Sequence, residues 1–261
     1  MFARMAVRIA AIEALRPWAR LATRGPWPTP AGPRVYDSRL MPIDAINEIE
    51  GQPALFVYTE HDEQTPYGSG QSIRPSGDVT VSLVIECAVA GQSQFRFEDG
   101  AGQTTTIGSA GTLVADSELE AMVDFLEATV RRRFSGVDTD AAMKAWNCAC
   151  MAIEGIESVP QRDAEGGLRL ALRTVRFKIK TKADAWPTTV KTGLDRLPEP
   201  LACVAKALVG SDETSFLDDL AAAVTDPSRI PLEGIDLFVG MDRVPTTEAE
   251  GHDARGAVET D

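Results

Sequence analysis

Histidine and cysteine are both scarce in this chain: two of the first and four of the second in 261 residues. Neither a His-x-x-x-His nor a Cys-x-x-Cys spacing occurs, so the usual ligand sets of a zinc site are missing. The phosphate-binding pattern Gly-x-x-x-x-Gly-Lys-Ser/Thr is absent as well. "GSAG" at Gly108–Gly111 falls one residue short of the Gly-x-Ser-x-Gly nucleophile elbow. "YGSGQS" at Tyr67–Ser72 lacks the third glycine and the strand-to-helix setting of a dinucleotide loop. No apolar run approaches the ~18 residues of a membrane span.

Positive charge is in deficit too. Lys and Arg number 26 against 39 Asp and Glu, a net charge of −13. Nucleic-acid binding rests on cations that displace counterions, so a chain this acidic is repelled by bulk DNA and no sequence-specific nucleic acid is expected. The charge is unevenly spread. Residues 1–40 hold seven basic and two acidic side chains, and residues 210–261 hold three basic and thirteen acidic ones. Such opposite ends permit contact between unlike surfaces of neighbouring copies. For the final residues a solvated acidic tail is the simpler account.

Cys87, Cys148, Cys150 and Cys203 are too few for a disulfide framework at this length. Cys148 and Cys150 fall in a helical pattern, where a spacing of two turns them to different faces. All four read as small buried hydrophobes in a reducing compartment. The Arg-rich start, "MFARMAVRIAAIEALRPWAR", has no uninterrupted apolar stretch for a secretory signal. Met5, Ile9 and Ile12 have the spacing of a core helix.

What is present is a globular mixture, 44% hydrophobic and 25% charged. A helix is expected over Ala3–Arg16, ended by Pro17, then a Pro-rich connector and short extended segments at Arg34–Leu40 and Ala54–Thr59. The clearest strand is "DVTVSLVIECAVAG", in which Val79, Val81, Leu83, Ile85, Cys87 and Val89 alternate with their neighbours. A hairpin follows near 94–107, turning at Asp99-Gly100. The clearest helix is "SELEAMVDFLEATVRRRF". Ser117 and Glu120 read as a capping box; Leu119, Met122, Val123, Leu126 and Val130 form one apolar stripe; Arg131, Arg132 and Arg133 suit the negative end of the helix dipole. A second helix near Thr139 carries Met143 and Trp146. Strands are expected at Ile153–Arg162 and Leu168–Thr181, and helices at Leu201–Leu208 and Phe216–Val224. "LEGIDLFVGM" has the pattern of a final strand, and residues from about Thr246 that of a disordered tail. The fold class is α/β (α+β): a small mixed sheet with helices packed on it, plus a mainly helical C-terminal extension. The divisions are an α/β domain over 1–185, the extension over 186–245 and an acidic tail over 246–261.

Two stretches are candidates for function. In "PALFVYTEHDEQ" a strand runs into Glu60, His61, Asp62 and Glu63. Strict alternation places Glu60 and Asp62 on one side and His61 on the other, and the stretch reads as a strand end feeding a solvated loop. A hydrolase using His61 with Asp62 or Glu63 is the enzymatic alternative; it lacks a partner at a ligand or triad spacing. In the strand Leu168–Thr181, Leu168, Leu170 and Leu172 have one parity and Val175, Phe177 and Ile179 the other. Either a bulge lies near Thr174, or the strand buries opposite faces in its two halves. The second case suits a strand whose Val175, Phe177 and Ile179 meet another subunit, though the protein's own C-terminal helix is an alternative cover.

The order of these elements, with "RVYDSRLMPI", "VYTEHDE", "VTVSLVIECAV" and "DSELEAMVDFLEATV" in sequence, resembles the tail terminator (minor tail) proteins of long-tailed bacteriophages and gene transfer agents. The resemblance covers roughly residues 3–182, and its most distinctive part is the pairing "YDSRL…PALFVYTEHDE". It implies a structural virion protein without catalytic residues, cofactor or metal. The implied assembly is a homo-oligomeric ring, commonly a hexamer, at the tail-neck junction of the virion, reached from the host cytoplasm. The implied partners are other copies of the chain, the tail tube protein and a head-tail connector or adaptor, with no membrane. Another head-tail connector or tail-completion protein is the nearest alternative. The hairpin near 94–107 and residues 186–261 depart from the family's pattern.

Overall fold

The computed structural model describes residues 2–23, 26–38, 53–64, 77–90, 95–98, 104–107, 116–136, 140–163, 170–211 and 213–225. The chain opens with α1 (Phe2–Leu15) and the short α2 (Trp18–Thr23). Three strands follow: β1 (Val35–Asp37), β2 (Ala54–Gln64) and β3 (Asp78–Ala90). A separate two-stranded hairpin, β4 (Phe95–Glu98) with β5 (Thr104–Ile107), leads to α3 (Asp116–Phe134) and α4 (Ala142–Ala149). Strands β6 (Ala152–Asp163) and β7 (Leu170–Lys182), a 3₁₀ turn at Gly193–Arg196, and helices α5 (Leu201–Ala207) and α6 (Glu213–Thr225) complete it. The main sheet has the order β1-β2-β3-β7-β6, with β1 parallel to β2 and every other pair antiparallel. This is a mixed five-stranded sheet with helices packed on it, the α+β class expected from the periodicities.

The alternation in β3 explains the centre of the fold. Val79, Val81, Leu83, Ile85, Cys87 and Val89 are all buried in one cluster with the stripe Leu119, Met122, Val123, Leu126 and Val130 of α3. A period of two meets a period of 3.6 across one interface, and both patterns are consumed by the same core. Helix α3 begins at Asp116, so Ser117 lies within its first turn instead of before it. Pro17 ends α1 as expected, but the chain re-enters a helix at once in α2, six residues too short to show a periodicity.

The parity change in β7 has a plain resolution. Its register against β3 runs without a shift from Leu170↔Ala90 to Lys182↔Asp78, so no bulge lies near Thr174. The strand presents opposite faces. Val175, Phe177 and Ile179 are fully buried in the main core, where Phe177 meets the Phe134 ring edge-on at 5.5 Å and Phe134 lies 4.3 Å from Trp146. Leu172 turns the other way and packs on Ala54, Phe56 and Ala88, with Tyr36 stacked on Phe56 at 5.3 Å. Leu168 lies outside the described residues. The expected subunit interface at Val175, Phe177 and Ile179 is therefore corrected: the chain's own helices α1 and α3 pack on this strand, and all three side chains are fully buried.

Residues 186–225 join the same core. Leu197, Leu201, Val204, Ala205, Leu208 and Leu217 belong to the cluster that holds β3 and α1, so the boundary at 185/186 marks a change in sequence character and not a separate core. The tail from 246 and "LEGIDLFVGM" lie outside the described residues.

The cysteine expectation also needs correction. Cys148, at the end of α4, is disulfide-bonded to Cys203 in α5, with Cα atoms 5.6 Å apart. The two are 55 residues apart in sequence, a separation that carries no spacing signal. Cys87 and Cys150 are free.

Two polar ties hold α1 in place. The backbone N–H groups of Phe2 and Ala3 donate to the Asp184 carboxylate at 3.0 and 2.6 Å, so a residue from beyond β7 caps the positive end of α1. At the other end, the buried Arg133 donates from Nε to the Ala14 carbonyl at 2.7 Å and from a terminal nitrogen to Asp140 at 2.8 Å. The Asp140 carboxyl is held below the ordinary carboxylate range: partial burial acts to raise it, and the hydrogen bond and charge of Arg133 outweigh that. The triple Arg thus does more than complement a dipole. Arg131 pairs with Glu127 one turn back, and Arg133 is an internal clamp.

Two outcomes test this packing. Leu126→Ala removes a fully buried side chain from the α3–sheet interface and is expected to cost ~2–5 kcal/mol in chemical denaturation, while Phe177→Asp, placing a charge in a sealed core, is expected to abolish the folded circular dichroism signal. Reduction of Cys148–Cys203 is expected to lower stability by about 2–4 kcal/mol, and a Cys203→Ser variant is expected to denature identically with and without reductant.

Candidate functional site

The residues 60–63 do not leave the sheet. Strand β2 continues to Gln64, and Asp62, Glu63 and Gln64 pair with Val81, Thr80 and Val79 of β3. The register explains why strict alternation misplaces His61. Thr59 pairs with Leu83 and Asp62 with Val81, so Glu60 and His61 together oppose the single residue Ser82. That is a β-bulge. It leaves Glu60 and His61 on the face away from the helices and returns Asp62 to the helix side, where Arg4 of α1 pairs with it at 3.4 Å. Glu63, opposite Thr80, is again on the outer face.

A second bulge in β6 mirrors the first. The register shifts between Ile153 and Gly155, which keeps Ile153 opposite Ile179 and Ile156 opposite Phe177 although the two isoleucines are an odd number of residues apart. The extra residue, Glu154, reaches Lys178 at 3.9 Å and accepts from Thr80 at 3.4 Å. Between the two bulges lies an open groove of about 360 Å³, lined by His61, Glu63, Thr80, Ser82, Glu157, Arg176 and Lys178 among others.

The groove is charged by strand. Its basic row is Arg176, Lys178 and Lys180 on β7, flanked by carboxylates on both sides. Arg176 donates to both oxygens of Glu60 at 3.2 and 3.3 Å. Lys180 pairs with Asp78 at 2.8 Å. Next to it, the Tyr58 hydroxyl donates to Glu86 at 2.7 Å. Desolvation comes first in pushing the Tyr58 phenol well above its ordinary value; the hydrogen bond to Glu86 and the charges of Glu86 and Glu60 add to it, and Arg176 opposes them.

The chemistry available here is recognition by paired charges. No hydrogen bond joins Ser82 to His61, and His61 is exposed. Among the described residues, no group of three or more His, Cys, Asp or Glu has the arrangement to hold a metal ion. Burial pushes the Cys150 thiol up to about 11 and the Cys87 thiol higher still, which leaves both protonated and unreactive at neutral pH. No helix among the described residues is long and apolar enough to cross a membrane.

Sequence reasoning missed one residue with a large polar role. Arg173 of β7, on the helix side, pairs with Glu120 at 3.0 Å, with Glu127 at 3.1 Å and with Asp124, all on α3. The spacing 120, 124, 127 is the one signal that was there: three carboxylates on one helical face need a cation.

No family model matches the chain, and no curated protein matches it.

The bonded Tyr58 gives a measurable test. Because the fold holds this phenol neutral, its contribution to stability is complete below pH ~10, the ordinary value, and is lost as the pH climbs above it toward the raised one. A phenolate absorbance titration of the folded protein is expected to show one tyrosine ionising later than the others, and Tyr58→Phe is expected to remove that late step.

Proposed function

We propose that this chain is a structural subunit of a phage-type tail terminator: a ring that caps the tail tube and joins the tail to the head. The observation that carries the reading is the order of elements. A leading helix, a short strand paired to "PALFVYTEHDE", the long alternating strand, a long amphipathic helix and a closing antiparallel pair form the series by which the sequence resembles that family. The groove supports the same reading. It is open and lined largely by polar and charged side chains, which suits a protein contact better than a small substrate, whose sites are mostly apolar and enclosed. Glu60, His61 and Glu63 are candidate contact residues on this face; Asp62 turns to the helix side and pairs with Arg4. The partners under this reading are other copies of the chain, the tail tube protein and a connector or adaptor on the head side. The reading gives the chain no catalytic residue and no cofactor.

The purified protein, alone or with tail tubes, is expected to form a closed ring whose mass is a whole multiple of 28.1 kDa, six-fold by the resemblance. Light scattering and electron microscopy read this directly. A stable monomer that leaves tail tubes uncapped would overturn the proposal.

A further inference from the structure

The sheet order places β1 and β6 at opposite edges, and the surfaces at those edges differ in sign. Beside β1, α2 and the end of α1 present Trp18 and Leu21, 37% and 39% exposed, with Arg16 and Arg20 next to them. Trp18, Leu21 and Arg16 border a pocket that also takes in Glu13 and reaches Asp37 of β1. Among the described residues Arg16 forms no ion pair, and Arg20 donates to the carbonyl of Pro26 while its charge also acts on Asp140. The nearby Glu13 is engaged with the Trp18 backbone N–H.

At the far edge, β6 has β7 as its one strand partner among the described residues. Met151, just before β6, and Ile156, opposite Phe177, are large apolar side chains 52% and 41% exposed there. Glu154 and Glu157 stand on the other parity of the same strand and are exposed. Arg176, directly opposite Glu157, directs its hydrogen bonds to Glu60, and Lys178 reaches Glu154 only at 3.9 Å. The β6 edge is therefore apolar and acidic, and the α2 patch is apolar and basic.

We infer that these two surfaces meet head to tail: the β6 edge of one copy docks on the α2 patch of the next. The inference rests on the ring proposed above and names the two faces that close it. The occupant of each surface is a second copy of this chain, because the two are complementary in both respects: an apolar centre of Trp18 and Leu21 against Met151 and Ile156, and a charged rim of Arg16 and Arg20 against Glu154 and Glu157. Their position at opposite edges of one sheet makes the contact heterologous, and a heterologous contact generates a ring when its rotation closes. Matched rim charges set the register and reject the wrong pairing, since like charges brought together at an interface are strongly disfavoured. A bulged, charged edge also protects β6 from indiscriminate strand pairing while it remains free.

The test is a charge exchange on the full chain. Arg16→Glu with Arg20→Glu, and separately Glu154→Arg with Glu157→Arg, are expected to give folded monomers at concentrations where the unaltered protein is fully assembled. Circular dichroism confirms the fold, and light scattering gives the mass. All four changes in one chain restore complementarity at every contact and are expected to restore the ring. Equimolar mixing of the two double variants is expected to do the same. If the unaltered protein forms rings and either double variant still assembles, or if the quadruple variant stays monomeric, the assignment of these faces is overturned while the ring itself stands. If the unaltered protein is a monomer that leaves tail tubes uncapped, the ring reading fails, and this inference with it.

Discussion

Among the described residues, helices cover one side of the five-stranded sheet, and the side away from them is met by the side chains of the strands themselves. Most of the molecule's features follow from this division. The covered side is apolar over most of its width, because β3 presents an unbroken apolar alternation to α1 and α3 and β7 adds Val175, Phe177 and Ile179, with Arg173 interrupting it. The opposite side divides along the strands. One half is closed by Phe56, Ala54, Ala88, Tyr36 and Leu172. The other half is a lattice of charge, with the basic row of β7 set between the carboxylates of its neighbours. Opposite charges on adjacent strands each contribute little when exposed, but like charges placed there would repel. The lattice is better understood as a pattern that does no harm than as a source of stability.

A sheet covered on one side needs firm attachment of its helices, and two arginines supply it. Arg173 reaches from β7 into three carboxylates of α3, and Arg133 reaches from the end of α3 to the last turn of α1 and the start of α4. The guanidinium group suits both places, since it presents several donors in a fixed plane and stays charged when partly desolvated. Together they orient α3 at both ends, while its apolar stripe sets the distance.

What the sequence made legible was whatever repeats. Strand β3 and helix α3 were readable because their apolar residues recur without interruption, and the core closes on those residues. The irregular parts were not. At His61 the bulge inserts one residue into a period of two, so alternation turned Glu60 and His61 to opposite faces, and the strand was ended at Thr59. At Ile153 and Ile156 the same insertion hides two isoleucines that share a face. Helix α2 was invisible because one and a half turns cannot establish a period. Phe177 was correctly read as needing cover; which cover it has depends on the distant Phe134 and Trp146, and nothing local reports that. The groove illustrates the limit best. Its residues come from β2, β3, β6 and β7, and they become neighbours only through the register.

The link between Cys148 and Cys203 closes a covalent loop, and that loop contains all of β6 and β7. β7 is central in the sheet and β6 is its outer edge. A single backbone cut anywhere inside the loop would leave one connected molecule, with both fragments still tied through sulfur and held by the hydrogen bonds of the sheet. The same cut outside the loop would leave two pieces with no covalent tie. The outermost strand of the sheet is thus one that can be severed without being lost.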